Sequence, residues 1–173
     1  MFHQPSTDNS GNKKKKKESM DYSSSLTTWV WDYKAMLQYN DEAKGYIKLD
    51  GTRIQYPIVE HKDNDFYLKR GSDKVSNGAG AIFLDYRTGG LDGRMCILYG
   101  HNMMDNSMFG ELSQYINDKE FFSKHAYIYI YTRDEIRLYR IYAAFSTVAG
   151  SDVYTLNFPN NNSMQNYITN NAA

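Results

Sequence analysis

The alternation of apolar and polar residues in the first half of the chain predicts a β-hairpin. Two alternating runs, within the segment from Tyr46 to Val59, flank the dipeptide Asp50-Gly51. This dipeptide between alternating runs is typical of a tight two-residue turn, because its residues tolerate positive φ angles. Pro57 lies in the second run and favours an edge strand or a bulge there, since proline has no backbone N–H for a sheet ladder.

Four more segments have the residue pattern of strands. Ala81–Tyr86 and Met95–Tyr99 are apolar runs of the length typical of buried strands. Cys96 lies in the second run, and we expect it to be an inert thiol in the core. Ala126–Thr132 alternates Tyr with Ile, and Ile136–Thr147 follows a polar reversal, so we predict that these two strands pair antiparallel. The chain is therefore predicted to be mostly β.

Helical spacing is limited to short stretches between the strands. An amphipathic helix of about three turns is predicted over Thr27–Tyr39 and is expected to end at Asn40. A short helical face downstream is formed by Phe109, Leu112 and Ile116. Asn117, followed by Glu120, is predicted to cap a second short helix, and Ser163 to cap a final one. Added to the strands, these helices predict an α+β fold.

Composition restricts the chain to one domain and argues against a general polyanion binder. A chain of 173 residues allows a single domain with a substantial core. Lys plus Arg and Asp plus Glu both number 20, so no net field draws the protein toward nucleic acid. Residues 1–26 are polar and include the run Lys13–Lys17, so we expect a disordered tail, followed by a folded domain over residues 27–173. We expect neither a membrane-spanning segment nor a secretory leader.

The residues give no indication of a metal or a cofactor. The sequence has 1 Cys, and its 4 His are scattered without ligand spacing. The segment Asp63–Asp65 lacks the alternating ligands and the terminal Glu of a calcium loop, and its side chains are better suited to capping a turn. We therefore expect neither a metal site nor a cofactor.

His101 is the strongest candidate for chemistry that the residue pattern offers. It follows Gly100, directly after the strand predicted over Met95–Tyr99. The exit of a strand fixes the backbone while the loop leaves the imidazole reachable, and imidazole titrates near neutral pH. The pattern alone leaves two interpretations open, a functional histidine and an ordinary turn histidine.

Several motifs, in their order along the chain, resemble those of a known family. They are Asp63-Asn64 with Tyr67-Leu68, Gly80-Ala-Ile-Phe-Leu-Asp-Tyr-Arg87, Tyr99-Gly-His-Asn-Met103 with Ser107-Met-Phe109, and Ile130-Tyr-Thr132. Together they resemble the class B sortases, and the resemblance runs from about Leu37 to the end of the chain. It implies a closed β-barrel preceded by N-terminal helices. It also implies a cysteine transpeptidase of Gram-positive bacteria that acts on the extracellular face of the cell membrane.

The resemblance further implies a reaction and its partners. Enzymes of this class cut a sorting signal of the Asn-Pro-x-Thr-Asn type after Thr, through attack of a thiolate, and pass the acyl group to a peptidoglycan amine. By this resemblance His101 is the catalytic histidine, which protonates the leaving amine. Asn64, Leu68 and Tyr99 fall at positions that bind the sorting-signal peptide. No cofactor is implied.

Two catalytic residues of the family have no counterpart in the sequence. The nucleophilic Cys belongs in a Thr-Leu-Ser-Thr-Cys-like strand after the helix that begins near Ser163, the Arg belongs on the next strand, and neither segment is found. Cys96 does not replace the nucleophile, because a thiol in apolar surroundings is inert. The membrane anchor of the family is not found either. We therefore expect a chain truncated at both ends, with a barrel incomplete at the C-terminus and no activity of its own.

The sequence leaves three interpretations of function open. The chain is the N-terminal part of a sortase, or it is a pseudo-enzyme or peptide-binding β-module that keeps the groove without catalysis. The third interpretation is an unrelated β-domain with a chance histidine loop.

Overall fold

The computed structural model describes residues 32–171, which form a six-stranded sheet with short helices around it. The strands are β1 (Ala43–Leu49), β2 (Gln55–Val59), β3 (Ile82–Leu84), β4 (Leu98–Tyr99), β5 (Tyr127–Tyr131) and β6 (Ile136–Arg140). Their order in the sheet is β4-β3-β2-β1-β5-β6. The predicted tail, residues 1–26, and the first part of the helix predicted over Thr27–Tyr39 lie outside the described residues. A mostly β fold with added helices is confirmed.

The predicted hairpin is confirmed as the antiparallel pair β1 and β2, but its turn is longer than two residues, because β1 ends at Leu49 and β2 begins at Gln55. Gly51 in its turn has a φ of 78°, a left-handed conformation that favours glycine. The expectation that Pro57 marks an edge strand is wrong, because β2 lies between β1 and β3. β2 pairs with β3 only at Ile58 and Val59, so β3 requires no hydrogen bond from Pro57. The alternative expectation, a bulge in the second strand, is wrong as well, because the bulge of this pair lies in β1, between Ala43 and Gly45, and Pro57 pairs in register with Tyr46.

β3 confirms the buried strand predicted within Ala81–Tyr86, and it runs parallel to β2. The strand predicted over Met95–Tyr99 is shorter than expected, because β4 contains only Leu98 and Tyr99, and both are half-buried. The physical reason is its partner: β3 ends at Leu84, and the chain then bends into a 3-10 turn over Tyr86–Thr88. Cys96 is left without a strand partner, and it is half-buried rather than fully buried.

β5 and β6 confirm the predicted antiparallel pair, and β5 also pairs antiparallel with β1. The second strand of the pair ends at Arg140, well before Thr147, where its prediction ended. β6 is an edge strand and is exposed along most of its length. Among residues 32–171, β6 has a neighbouring strand, β5, on one side only, so no second strand in this range holds the residues after Arg140 in the sheet.

The helices are short and lie before, between and after the strands along the chain. They are α1 (Tyr33–Tyr39), α2 (Ser113–Asn117), α3 (Lys119–Lys124) and α4 (Asn161–Asn170). α1 is capped at its C-terminus by Asn40, as predicted. Two predicted N-caps are wrong by a few residues. Asp118, not Asn117, caps α3, and Asn160 caps α4 in a capping box in which Ser163 is the third helical residue.

Successive residues of the strands point to opposite faces and form two apolar clusters. One cluster contains Ile47, Ile82 and Ile130 together with Met108. The other lies on the opposite face and contains Val59, Tyr67, Ala81 and Phe83, with Phe66 and Tyr99 packed against it. The larger cluster draws side chains from β1, β2, β3 and β5, so burial of apolar surface on this face stabilises the sheet as a unit.

The sheet is open, with β4 and β6 as its two edges. A cavity of about 350 Å³ is lined both by Leu98 of β4 and by Tyr139 of β6, with Ile128 and Ile130 of β5 between them. Because residues of both edges line one cavity, the sheet is curled into a half-barrel. The apolar lining of this cavity faces the larger cluster.

Candidate functional site

His101 lies where the sequence predicted it, in the segment that leaves β4. Gly100 precedes it at a point where a Cβ would overlap the side chains of Ile82 and Phe109, so only glycine fits without a shift. The amide of Phe109 donates a 2.9 Å hydrogen bond to the carbonyl of His101, and Asn102 pairs with Met108 in an isolated antiparallel bridge. The chain from His101 to Phe109 is therefore a closed loop, here named the histidine loop.

The histidine loop is fastened to the sheet by polar contacts from the hairpin. The backbone N–H of Met108 donates to the Tyr56 hydroxyl at 2.9 Å, and the Arg53 guanidinium donates to the carbonyl of Asp105 at 2.9 Å. Within the loop, the hydroxyl and the N–H of Ser107 both donate to the Asp105 carboxylate. These bonds fix the backbone on which His101 is carried.

The imidazole of His101 is half-buried and makes no hydrogen bond or ion pair with any residue between 32 and 171. A cavity of about 690 Å³ opens beside its loop and is lined by Gly100, Asn102, Phe109 and Tyr154 among others. The lining includes both neighbours of His101 and not His101 itself. An imidazole on a fixed backbone can exchange a proton with a molecule bound against it.

A second feature of the site is a fully buried carboxylate at the end of β3. Asp85 is 0% exposed and accepts two hydrogen bonds from the Arg87 guanidinium, at 2.9 and 2.6 Å. The hydroxyl of Tyr99 donates to the same carboxylate at 2.8 Å. The Arg87 side chain, followed by its backbone N–H and by hydrogen bonds from Tyr99 and Asn64, holds the pKa of Asp85 well below its ordinary value.

Tyr99 lies with its ring between two other aromatic rings. The Phe83 ring is 5.3 Å from it, centroid to centroid, and the Tyr154 ring lies nearly parallel at 6.5 Å. Burial, followed by the hydrogen bond to Asp85, raises the pKa of Tyr99 to about 12. Its hydroxyl therefore stays protonated at neutral pH and serves as a donor.

Asn64 and Leu68 lie on the crossover that connects β2 to β3. The Oδ1 atom of Asn64 accepts a 3.1 Å hydrogen bond from the backbone N–H of Tyr86, next to Asp85. The Asp63 carboxylate accepts from the backbone N–H groups of Asp65 and Phe66, just before the 3-10 turn over Phe66–Leu68. The N-cap of that turn is Asp65, whose side chain makes no capping hydrogen bond. Leu68 ends this turn with 37% of its surface exposed.

The crossover is held from its outer side by a second polar network. The Nδ1 atom of His61 lies 2.7 Å from one oxygen of the Glu42 carboxylate, and the Tyr67 hydroxyl donates to the other oxygen at 2.5 Å. The His61 ring stacks on Phe66 at 4.1 Å, and Asn40 donates to the Tyr67 hydroxyl at 2.8 Å. The 3-10 turn that carries Leu68 is thus anchored on Glu42, directly before β1, and on Asn40 at the end of α1.

The structure brings together two of the four predicted site residues. Asn64 and Tyr99 meet at Asp85, His101 follows Tyr99 along the chain, and Leu68 lies apart at the end of its turn. The sequence prediction missed Asp85 and Tyr154. An acidic residue at the end of an apolar run with an arginine two residues later was a usable sign for Asp85, whereas nothing in the pattern distinguished Tyr154.

Cys96 is turned toward the interior of the half-barrel. Its thiol donates to the carbonyl oxygens of Gly90, at 3.4 Å, and Gly93, at 3.8 Å. Burial raises the pKa of this thiol, which lowers the fraction of thiolate at neutral pH. Cys96 also lines the cavity between β4 and β6, together with Ile47 and Ile130.

Residues 32–171 contain neither a cluster of metal ligands nor a membrane-spanning helix. No group of three or more His, Cys, Asp or Glu residues in this range is arranged to hold a metal ion. None of the helices in the same range combines the length and the apolar character of a membrane-spanning segment.

Comparison with known proteins gives a consistent result. The family model described as the sortase domain matches residues 47–169. The chain is 35% identical over 133 residues to sortase B of Listeria monocytogenes serovar 1/2a, covering 75% of this chain and 52% of that protein. It is 28% identical over 137 residues to sortase B of Staphylococcus aureus, covering 79% of this chain and 56% of that protein. The chain thus spans about half the length of the curated relatives it matches.

Solved structures show the same similarity in three dimensions. Sortase B from Bacillus anthracis in complex with AAEK1 has a TM-score of 0.73 and 36% identity, covering 80% of this chain and 65% of that chain. The Staphylococcus aureus sortase B–substrate complex has a TM-score of 0.75 and 28% identity, covering 80% of this chain and 64% of that chain. The half-barrel with its added helices is therefore the arrangement that these proteins share with this chain.

Proposed function

The chain belongs to the sortase family, as a class B sortase, and from this premise we propose that its site binds a sorting-signal peptide for transpeptidation. The proposed peptide is of the Asn-Pro-x-Thr-Asn type, cut after Thr, and the proposed acceptor is an amine of peptidoglycan. The observation that carries the proposal is the meeting of Asn64 and Tyr99 at Asp85, beside the histidine loop. Tyr154, which stacks on Tyr99, lines the cavity of about 690 Å³ together with Gly100 and Asn102, the two neighbours of His101.

His101 is proposed as the general acid of the reaction. Cleavage of a peptide bond leaves an amine, which needs a proton as it departs, and an imidazole supplies one near neutral pH without a large pKa shift. The backbone of His101 is fixed by the bond from Phe109, and its ring has no partner among residues 32–171 that would hold the proton. Both properties suit proton transfer to a bound peptide.

Asn64, Leu68 and Tyr99 are proposed to hold the sorting signal. A signal rich in Asn and Thr needs hydrogen-bonding partners, which the Asn64 amide and the Tyr99 phenol supply. Its proline needs an apolar contact, and Leu68 offers one because 37% of its surface is exposed at the end of a rigid turn. Tyr154 is proposed as an additional contact, since it stacks on Tyr99 and lines the cavity beside the histidine loop.

The nucleophile of the proposed reaction is a thiolate, and the single Cys of the sequence does not supply it. The thiol of Cys96 donates to two backbone carbonyls, has a raised pKa and lines the interior cavity. We therefore propose that the 173-residue chain binds the peptide and does not cleave it. Transpeptidation then belongs to a protein in which a reactive thiol is also present, on the extracellular face of the cell membrane.

The alternative function is peptide binding without catalysis, as in a pseudo-enzyme or a binding β-module. The interior position of Cys96 favours it, because binding by Asn64, Leu68 and Tyr99 needs no nucleophile. Both functions use Asn64, Leu68 and Tyr99 to bind the peptide, and they differ in whether a reactive thiol is present to cleave it.

Binding of a labelled peptide tests the proposal. We expect fluorescein-labelled Asn-Pro-Ala-Thr-Asn to bind the 173-residue chain, with a rise in fluorescence anisotropy that saturates. A scrambled peptide of the same composition serves as the control and should bind at least about tenfold more weakly, because its Pro and Thr no longer face their partners. Equal binding of both peptides, or of neither, would contradict the proposed specificity.

A further inference from the structure

We propose that Asp85 is a positioning residue for peptide binding, which acts by fixing the hydroxyl of Tyr99 and the amide of Asn64. This inference rests on the proposed function, because it takes Tyr99 and Asn64 as peptide-binding groups. Asp85 itself is 0% exposed, so it acts on the peptide only through its neighbours. It is not among the residues that the sequence pattern pointed to.

The geometry joins three separate segments at one carboxylate. The Tyr99 hydroxyl at the end of β4 donates to Oδ2 of Asp85 at 2.8 Å. The Arg87 guanidinium, in the turn after β3, donates to both oxygens. Asn64, on the crossover, accepts through its Oδ1 a 3.1 Å hydrogen bond from the N–H of Tyr86, the residue after Asp85, and its side chain lies near enough to the carboxylate to help lower the pKa of Asp85. One buried group thus sets the positions of side chains that lie far apart in sequence.

The charge of Asp85 is what makes this arrangement specific. A buried carboxylate is stable only when donors surround it, so the neighbouring donors are held toward it rather than toward solvent. The phenol of Tyr99 therefore has its proton committed to Asp85, and its oxygen lone pairs remain as acceptors for a peptide N–H. Without the charge, the phenol is free to turn its proton to other acceptors, and the peptide loses an ordered partner.

A purely structural role for Asp85 makes a different prediction. If Asp85 only stabilised the fold, Asp85→Asn and Tyr99→Phe would weaken peptide binding through unrelated causes, and their effects would multiply. If Asp85 acts through the Tyr99 hydroxyl, then Asp85→Asn should weaken peptide binding only slightly more once Tyr99→Phe has removed that hydroxyl. The two changes then combine to much less than the product of the single effects.

The experiment is a double-mutant cycle on the 173-residue chain, read by the Kd of labelled Asn-Pro-Ala-Thr-Asn. We expect Asp85→Asn and Tyr99→Phe each to weaken binding on the order of tenfold, the usual effect of losing one charge-assisted hydrogen bond. The double variant should bind within about twofold of the weaker single variant. Asp92→Asn is the matched control, because Asp92 also pairs with an arginine, Arg137 at 2.6 Å, but is 86% exposed in its side chain. It should leave the Kd unchanged.

The proposal would be overturned if the fold-change in Kd of the double variant equalled the product of the two single fold-changes. It would also be overturned if the Kd of Asp85→Asn equalled that of the parent. If Asp85→Asn does not fold, Tyr99→Phe alone decides, because an unchanged Kd there shows that the hydroxyl held by Asp85 plays no part. A second readout is independent of the peptide: the ¹³Cζ resonance of Tyr99 should move in Asp85→Asn and stay in Asp92→Asn. Failure of the parent chain to bind the peptide would contradict the proposed function, whereas an unmoved Tyr99 resonance would contradict the positioning.

Discussion

The amide of Phe109 donates a 2.9 Å hydrogen bond to the carbonyl of His101, and this bond closes the histidine loop on itself. The backbone of His101 is therefore held by main-chain contacts, while its imidazole takes no part in holding the loop. Fold and chemistry are thus separable at this residue. A substitution of the His101 side chain should therefore affect the chemistry and leave the fold unchanged.

We expect His101→Ala to change the free energy of unfolding by less than about 0.5 kcal/mol, as is usual for side chains outside a packed core or polar network. In a protein that carries this domain together with the reactive thiol, His101→Ala should lower turnover on the order of 10²-fold or more, because proton transfer to the leaving amine is lost. Urea unfolding and cleavage of a fluorogenic peptide measure the two effects. His125→Ala is the matched control, because its ring packs at 4.6 Å on Phe121 and should contribute to stability. A large loss of stability in His101→Ala would show that the ring is structural.

The second prediction concerns cleavage by the 173-residue chain itself. We expect no turnover of a fluorogenic Asn-Pro-Ala-Thr-Asn peptide above background. The Cys96 thiol donates hydrogen bonds to the carbonyls of Gly90 and Gly93 and has a raised pKa, so little thiolate is present to attack the peptide. Cys96→Ala should give the same background rate. Cleavage that disappears in Cys96→Ala would show that this thiol reaches the peptide after all.

The third prediction tests Leu68 as an apolar contact for the peptide. Leu68→Ala should weaken peptide binding about fivefold to tenfold, the effect of losing one partly buried apolar side chain from an interface. Stability should change little, because Leu68 is 37% exposed. Ile136→Ala is the matched control, since Ile136 is 45% exposed and lies on β6, at the other edge of the sheet from β4. Equal losses of affinity in both variants would argue against a specific contact at Leu68.

The fourth prediction separates two effects at the hairpin turn. Gly51→Ala should destabilise the protein by at least about 2 kcal/mol, because φ is 78° and a Cβ would overlap the His125 ring. Gly150→Ala should destabilise it by only about 1 kcal/mol, because its φ is similar, at 82°, but nothing lies within 4 Å of the added Cβ. Urea unfolding of both variants gives the comparison. Equal effects would show that the overlap with His125 is relieved at no cost.

The fifth prediction follows from the Glu42 network on the outer side of the crossover. Partial burial alone would raise the pKa of Glu42, but hydrogen bonds from Tyr67 and His61, aided by Lys74, outweigh it and lower the pKa. A carboxyl whose folded-state pKa is lowered stabilises the fold above its unfolded pKa, and this contribution is lost as pH falls through the folded pKa. Glu42→Gln should therefore destabilise the protein by about 1 kcal/mol at pH 7 and by progressively less below about pH 4.5.

Urea unfolding between pH 7 and pH 3 measures the fifth prediction. Glu120→Gln is its control, because Glu120 is 75% exposed in its side chain and forms an ion pair with Lys124, four residues on. Its effect should be small at every pH. A destabilisation by Glu42→Gln that stays constant down to pH 3 would show that the charge of Glu42 is not what matters.

Features set by local sequence could be predicted, whereas features set by distant partners could not. The hairpin around Asp50-Gly51 and the alternation of Tyr with Ile in β5 are local, and the hairpin and the β5 strand are both confirmed. The length of β4 is not local, because it depends on where β3 ends. The caps were displaced by one to three residues, since neighbouring Asn, Asp and Ser side chains compete for the same backbone N–H groups.

The same distinction applies to the site. His101 could be placed at the exit of a strand because Gly100 interrupts an apolar run, and motif resemblance singled out Asn64, Leu68 and Tyr99. The link between Asn64 and Tyr99 runs through Asp85, and no residue pattern encodes a hydrogen bond across three segments. The contact of Tyr154 with Tyr99 likewise depends on the path of the chain after β6.

The sheet order has a consequence for the timing of folding. The neighbours β4, β3, β2 and β1 come from one continuous stretch of chain, whereas β5 joins β1 only about 80 residues after it. Chains are synthesised at roughly 5–20 residues per second, so β1 to β4 leave the ribosome seconds before β5. Closing the long loop between β1 and β5 is also the slower event, because distant pairings have a larger entropic barrier. The face that carries Asn64, Asp85 and Tyr99 can therefore assemble during synthesis, before the strand that completes its far side exists.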